Sequence, residues 1–170
     1  VSDFLAGQIP TAGELELATA AGEVVNRGER VTNSTAASGA QGVLRVDGTA
    51  LTAGRRYEIT TNTLHITSSV AADRGVARLS MDTTGAQATT SSTVYGFANS
   101  PNIDSTTDAV NCLVRFFYTP AADQTVSVLL WTQRLSGTGN VRLIGITGNA
   151  SIQLEIIDRG VDVGDTGVDI

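Results

Sequence analysis

The chain has 170 residues, 41% apolar and only 16% charged, with small and β-branched types filling most of the rest, which fits one folded, β-leaning domain with room for a real core. A formal charge of −6, with no stretch that interleaves arginine and aromatics, disfavours nucleic acid as a partner. The single cysteine, Cys112, excludes an intrachain disulfide and a cysteine-based zinc cluster, and no apolar run reaches the roughly 18 residues that a membrane helix needs.

The opening stretch VSDFLAGQIP lacks a basic region followed by an apolar one, so a secretory signal is not expected and the reading is of a soluble chain made in a cytoplasm. Residues 1–10 read as an extended arm with Phe4, Leu5 and Ile9 as apolar contacts, and Pro10 discourages regular helix before it. In TAGELELATAAGEVV, Thr11 and Glu14 fit a capping box, and the apolar spacing predicts one short helix over Ala12–Ala21. Gly22 and Gly28 then act as breakers, and Asn33–Gly42 reads as a polar loop.

From Val43 onward short β signals alternate with turn residues. VLRV is followed by the turn dipeptide DG. RRYEITT, TLHIT, GVARLSM and TVYGFA come next, and NCLVRFFYT, QTVSVLLWTQRL, NVRLIGIT and SIQLEII are the strongest strands. PAAD, SGTG and TGNA read as the turns between them. In SIQLEII, Ile152, Leu154 and Ile156 face one way and Gln153 and Glu155 the other, the pattern of a sheet with one wet side. Eight to ten such strands predict an all-β, jelly-roll-like β-sandwich over 43–160. Residues 1–42 then form an N-terminal arm, short helix and polar loop, and 161–170 a C-terminal arm.

Catalytic signatures are missing from the sequence. All eleven basic residues are arginine, the mark of a GC-rich genome, so there is no phosphate-loop lysine and no Schiff base. The only histidine, His65, lies mid-strand opposite Leu64 and Ile66 and reads as solvent-facing or interfacial. Cys112, inside AVNCLVRFFY, reads as a small apolar group. Trp131 could stack a sugar, but its place in the most apolar strand favours core or subunit interface. That strand is apolar on both faces, Val126, Val128 and Leu130 on one and Leu129 and Trp131 on the other. The second face therefore asks for another sheet or a neighbouring subunit.

The final stretch offers Asp158, Asp162, Asp165 and Asp169 as metal ligands. Their spacing of three to four residues and the lack of a following bidentate glutamate fail the calcium-loop pattern, so no metal and no cofactor are expected. Val161, Val163, Val168 and Ile170 are placed too regularly for a solvated tail, which favours an arm ordered against a neighbour.

The opening FLAGQIPTAGELELATAAG resembles the start of many bacteriophage virion proteins, in which an extended F-x-x-G-x-x-x-T-A segment precedes a short helix. The closing RLSGTGNVRLIG and LEIIDRG resemble the last strands of jelly-roll phage decoration and fibre proteins. The resemblance covers both ends and the β pattern, not the middle. It implies a non-enzymatic virion component made in a bacterial host. A capsid decoration or head-fibre protein is favoured, with a tail-fibre or minor tail protein, or a carbohydrate-binding receptor module, as the alternative. The implied partners are the chain itself, as a homotrimer, and the major capsid protein or another virion protein. No nucleic acid and no membrane enter. Phe4, Leu5, Ile9, Trp131, Val161, Val163, Val168 and Ile170 are the expected interface residues.

Overall fold

A computed structural model describes residues 22–107, 109–145 and 151–162. The helix expected over Ala12–Ala21, and Phe4, Leu5, Ile9, Val163, Val168 and Ile170, lie outside them. Among the described residues there are eleven strands: β1 (Glu23–Arg30), β2 (Gln41–Leu51), β3 (Arg55–Thr61), β4 (Leu64–Ser68), β5 (Arg74–Asp82), β6 (Thr93–Asn99), β7 (Val110–Cys112), β8 (Arg115–Tyr118), β9 (Gln124–Ser136), β10 (Val141–Leu143) and β11 (Ile152–Val161).

They build two antiparallel layers. One has the order β2-β9-β5-β6; the other has the order β1-β11-β3-β8, prolonged by β10-β4-β7. The prolongation follows from the chain. Only Asn62 and Thr63 separate β3 from β4, and only Leu113 and Val114 separate β7 from β8, so the same pairing is interrupted and then resumed. The chain crosses repeatedly between the layers, and apart from β5–β6 the bonded neighbours are non-sequential, as in a jelly-roll-like sandwich.

The alternation read from the sequence becomes the core. Tyr57, Ile59, Leu64 and Ile66 from one layer meet Ala77, Leu79 and Met81, together with Val126, Val128 and Leu130, from the other. Ile152, Leu154 and Ile156 of β11 are fully buried beside them. PAAD and SGTG connect strands as expected, whereas TGNA falls outside the described residues.

Three local expectations change. Residues 23–30, assigned by the sequence to the segment ahead of the sandwich, form β1, an edge strand bonded to β11. Its sequence EVVNRGER, without alternating apolar residues and with a glycine, hid it. Asp47-Gly48 is no hairpin turn: β2 continues through it, and the ladder to β9 shifts register there while Gly48 sits at φ 67°. The long β9 holds both halves of β2, so the turn-forming glycine is absorbed as a bulge. The third change concerns the outer apolar face of β9, which this chain covers itself. Ala88, in the segment after β5, packs on Leu129 and Trp131, and its N–H donates to Ser127 Oγ (2.8 Å).

Candidate functional site

Two buried carboxylates come first, because their surroundings decide whether they are free for chemistry. Asp73, in the β4–β5 turn, accepts hydrogen bonds from Ser68 Oγ (2.5 Å) and from the backbone N–H groups of Thr138 and Gly139 (both 2.9 Å). The Ser68 hydroxyl, then the two N–H groups, hold its carboxyl below the usual carboxylate range. The SGTG turn thus wraps a carboxylate from a turn 65 residues earlier in the chain. Asp158 of β11 pairs with Arg55 of β3, and its other oxygen accepts from the Gly160 N–H (2.8 Å). The hydrogen bond to Asp158 raises the Arg55 pKa further. Both acids are tied into the scaffold.

Cys112 packs against the core, and burial pushes its thiol up to about 11, so the thiolate a nucleophile requires is scarce near neutrality. His65 is half-buried in β4 between buried Leu64 and Ile66, on the opposite face, as its alternation indicates. Asp162 is held at the sandwich, its carboxylate accepting from Thr119 Oγ1 (2.6 Å) and its N–H donating to the Gly54 carbonyl (2.9 Å). Among the described residues, no three His, Cys, Asp or Glu side chains gather as a metal site.

Trp131 is only 3% exposed. Its indole N–H donates to Ser80 Oγ (2.8 Å), and the Arg78 guanidinium lies 4.9 Å from its ring. Of the two places expected for it, core or subunit interface, Trp131 takes the core, enclosed by its own chain. Val161, at the end of β11, is exposed.

The surface that stands out lies where β6 and β8, each bonded to one neighbour among the described residues, end the two layers on the same side. Tyr95 leaves the β6 ladder at a register shift and stacks on Phe116 of β8 (centroids 5.3 Å), with Tyr118 edge-on (5.8 Å). Burial, then Tyr118, raises the Tyr95 pKa. Gly96 permits this approach: a Cβ there would come within 3.4 Å of the Arg115 carbonyl oxygen and crowd Val114.

Strand alternation turns the flanking aromatics outward. Phe97 is 64% and Phe117 45% exposed, and Val94, Leu113 and Tyr95 add exposed apolar area. Phe117 sits between two cations, the Arg56 guanidinium 4.4 Å and that of Arg115 5.6 Å from its ring centroid. Beneath them Glu58, largely buried, accepts from Arg159 Nε (2.8 Å) and lies 3.7 Å from Arg115. Among the described residues Arg56 has no acidic partner.

The sequence reading passed over these residues. RFFY enters that reading only as part of the strand NCLVRFFYT, whose period of two sends Phe116 inward and Phe117 outward. No protein-family model matches this chain, and a search of curated proteins finds no significant relative.

Proposed function

We propose that this chain is a non-enzymatic structural subunit of a bacteriophage particle, a capsid decoration protein of the head-stabilising or head-fibre kind. On this reading it self-associates, as a trimer, and binds the major capsid protein or another virion protein. The observation that carries the reading is the exposure of Phe97 and Tyr95 on β6 and of Phe117 on β8, the strands that end the two layers among the described residues. Exposed aromatic side chains on layer-ending strands are what a protein contact uses and what a monomer tends to avoid. The class of particle rests on the likeness of both chain ends to phage virion proteins. The engagement of Asp73 and Asp158 in scaffold bonds fits a role in assembly.

The test has two parts. Ultracentrifugation of the purified chain at micromolar concentration should give an oligomer, and Phe97→Ser/Phe117→Ser should shift it toward monomer with little change in Tm. Mass spectrometry of heads and tails separated from the source particle should find the chain on heads. A monomer recovered with neither fraction would refute the reading.

One observation favours a second reading, a carbohydrate-binding receptor module. The Phe117 ring between Arg56 and Arg115 offers a stacking face with two cations, which suits an acidic sugar. Calorimetry with acidic oligosaccharides would reveal it as binding that Phe117→Ser abolishes while the oligomer persists.

A further inference from the structure

We propose that Arg56 and Arg115, held on either side of the Phe117 ring, form a pair of guanidinium forks that binds two carboxylates of one linear acidic oligosaccharide. The inference rests on the carbohydrate-binding reading given second above, and adds to it how many acidic sugars are recognised together.

The register of β3 and β8 explains the arrangement. Phe117 lies directly opposite Glu58, and alternation with Ile59 and Phe116 puts both on the outer face of the layer. Arg115 precedes Phe117 by two residues on β8, and Arg56 precedes Glu58 by two on β3. Because the strands are antiparallel, these two positions fall on opposite sides of the Glu58–Phe117 pair. The guanidinium carbons lie 4.4 Å (Arg56) and 5.6 Å (Arg115) from the ring centroid. Both distances end on the same centroid, so the two cations are at most about 10 Å apart, the sum of the two. The ring acts as a spacer, and both forks are positioned before any ligand arrives.

The donors of the two forks are free to different extents. Arg56 has no acidic partner among the described residues, and Arg115 Nη1 is 3.7 Å from Glu58 Oε1, longer than a hydrogen bond. Glu58 gives its other oxygen to Arg159 Nε (2.8 Å) and is only 7% exposed, so its carboxylate lies beneath the forks and does not confront a ligand. Three cations therefore surround one buried carboxylate in a chain of net charge −6, which favours an anionic ligand at this place. A guanidinium stacked on a ring keeps the N–H groups along its edge for planar, two-bond recognition of a carboxylate.

Two features favour an acidic oligosaccharide over an acidic peptide. Phe117 is 45% exposed between the forks, an apolar surface that suits the C–H face of a sugar bridging them. Carboxylates carried on sugar rings also meet a fixed pair of forks without the ordering of flexible side chains that aspartate or glutamate would require.

The test is calorimetry of the full chain with galacturonate, with the trimers of galacturonate, mannuronate and guluronate, with the trimethyl ester of trigalacturonate and with tetraglutamate. At least one acidic trimer should bind at least tenfold more tightly than the single sugar, because its second contact forms within a complex already made. The ester and tetraglutamate should bind at least tenfold more weakly than that trimer. Arg56→Gln and Arg115→Gln should each bring the trimer down to the level of the single sugar with Tm unchanged. Arg142→Gln, which removes an exposed cation on β10, should leave binding as it is. If single sugar and trimer bind equally, the paired forks are wrong and the carbohydrate reading stands. Tetraglutamate bound as tightly as the trimer would make an acidic protein segment the partner and overturn the inference, as would an equal loss in Arg142→Gln. If no acidic sugar binds at all, the inference and the carbohydrate reading both fall.

Discussion

Arg55 Nε donates to Asp158 Oδ2 across 2.6 Å, joining residues 103 apart in sequence, and the two side chains are only 9% and 7% exposed. Arg55 Nη2 is also buried, with no hydrogen-bond partner among the described residues, so this guanidinium depends heavily on one carboxylate. Removing that carboxylate leaves a buried charge uncompensated. Asp158→Ala should cost about 3–5 kcal/mol in urea unfolding. Arg55→Met/Asp158→Leu should cost less than the single change, because no charge is left stranded. A double variant as unstable as the single one would show that shape, not charge, dominates at this site.

Gly137 should tolerate no side chain. Its φ of 100° is strained for an L-residue, and a Cβ there would collide with the Asp73 carboxylate. Backbone strain alone puts Gly137→Ala at about 1–3 kcal/mol of lost stability, and the collision adds to that. Gly85, also at positive φ but with open space around it, serves as the control: Gly85→Ala should show strain without collision and lower Tm by less.

Asp73 should make stability depend on acidity in a set direction. Its folded pKa lies below the ordinary value of about 3.9, so its contribution is complete above that pH and is lost as pH falls through the folded value. Asp73→Asn should therefore melt below the native protein at pH 6–7, with the gap closing toward pH 3. Melting curves across that range check it, and a gap independent of pH would mean that the carboxylate charge contributes nothing.

Trp131 supplies a spectroscopic reporter, since it is the only tryptophan in the chain. Enclosed by Ala88, Leu129 and Arg78, it should emit in the blue, and the emission should change with neither assembly nor added oligosaccharide. Trp131→Ala should cost about 3–5 kcal/mol, as truncation of a large buried aromatic does. A red shift on dilution to monomer would place the ring at an interface after all.

The β character of this protein, its strand-rich second half and the inward faces of β5, β9 and β11 were legible in the sequence, because a period of two is a local property that survives without knowledge of the partner strand. The inward position of Ile152, Leu154 and Ile156, and the unreactive setting of Cys112, follow from residues within one strand length. Tertiary structure decided the rest. Local pattern marks Leu129 and Trp131 as a second apolar face, but only the path of the chain after β5 determines that Ala88 covers it. The spacing of Asp158 hints at ligands, yet its partner Arg55 is distant in sequence, and pairing across that distance leaves no local trace. Most of all, which strands end the layers is a property of topology. Alternation turns Phe117 and Phe97 outward, but no feature of RFFY or TVYGFA records that, among the described residues, β8 and β6 each have one neighbour instead of two and so end their layers.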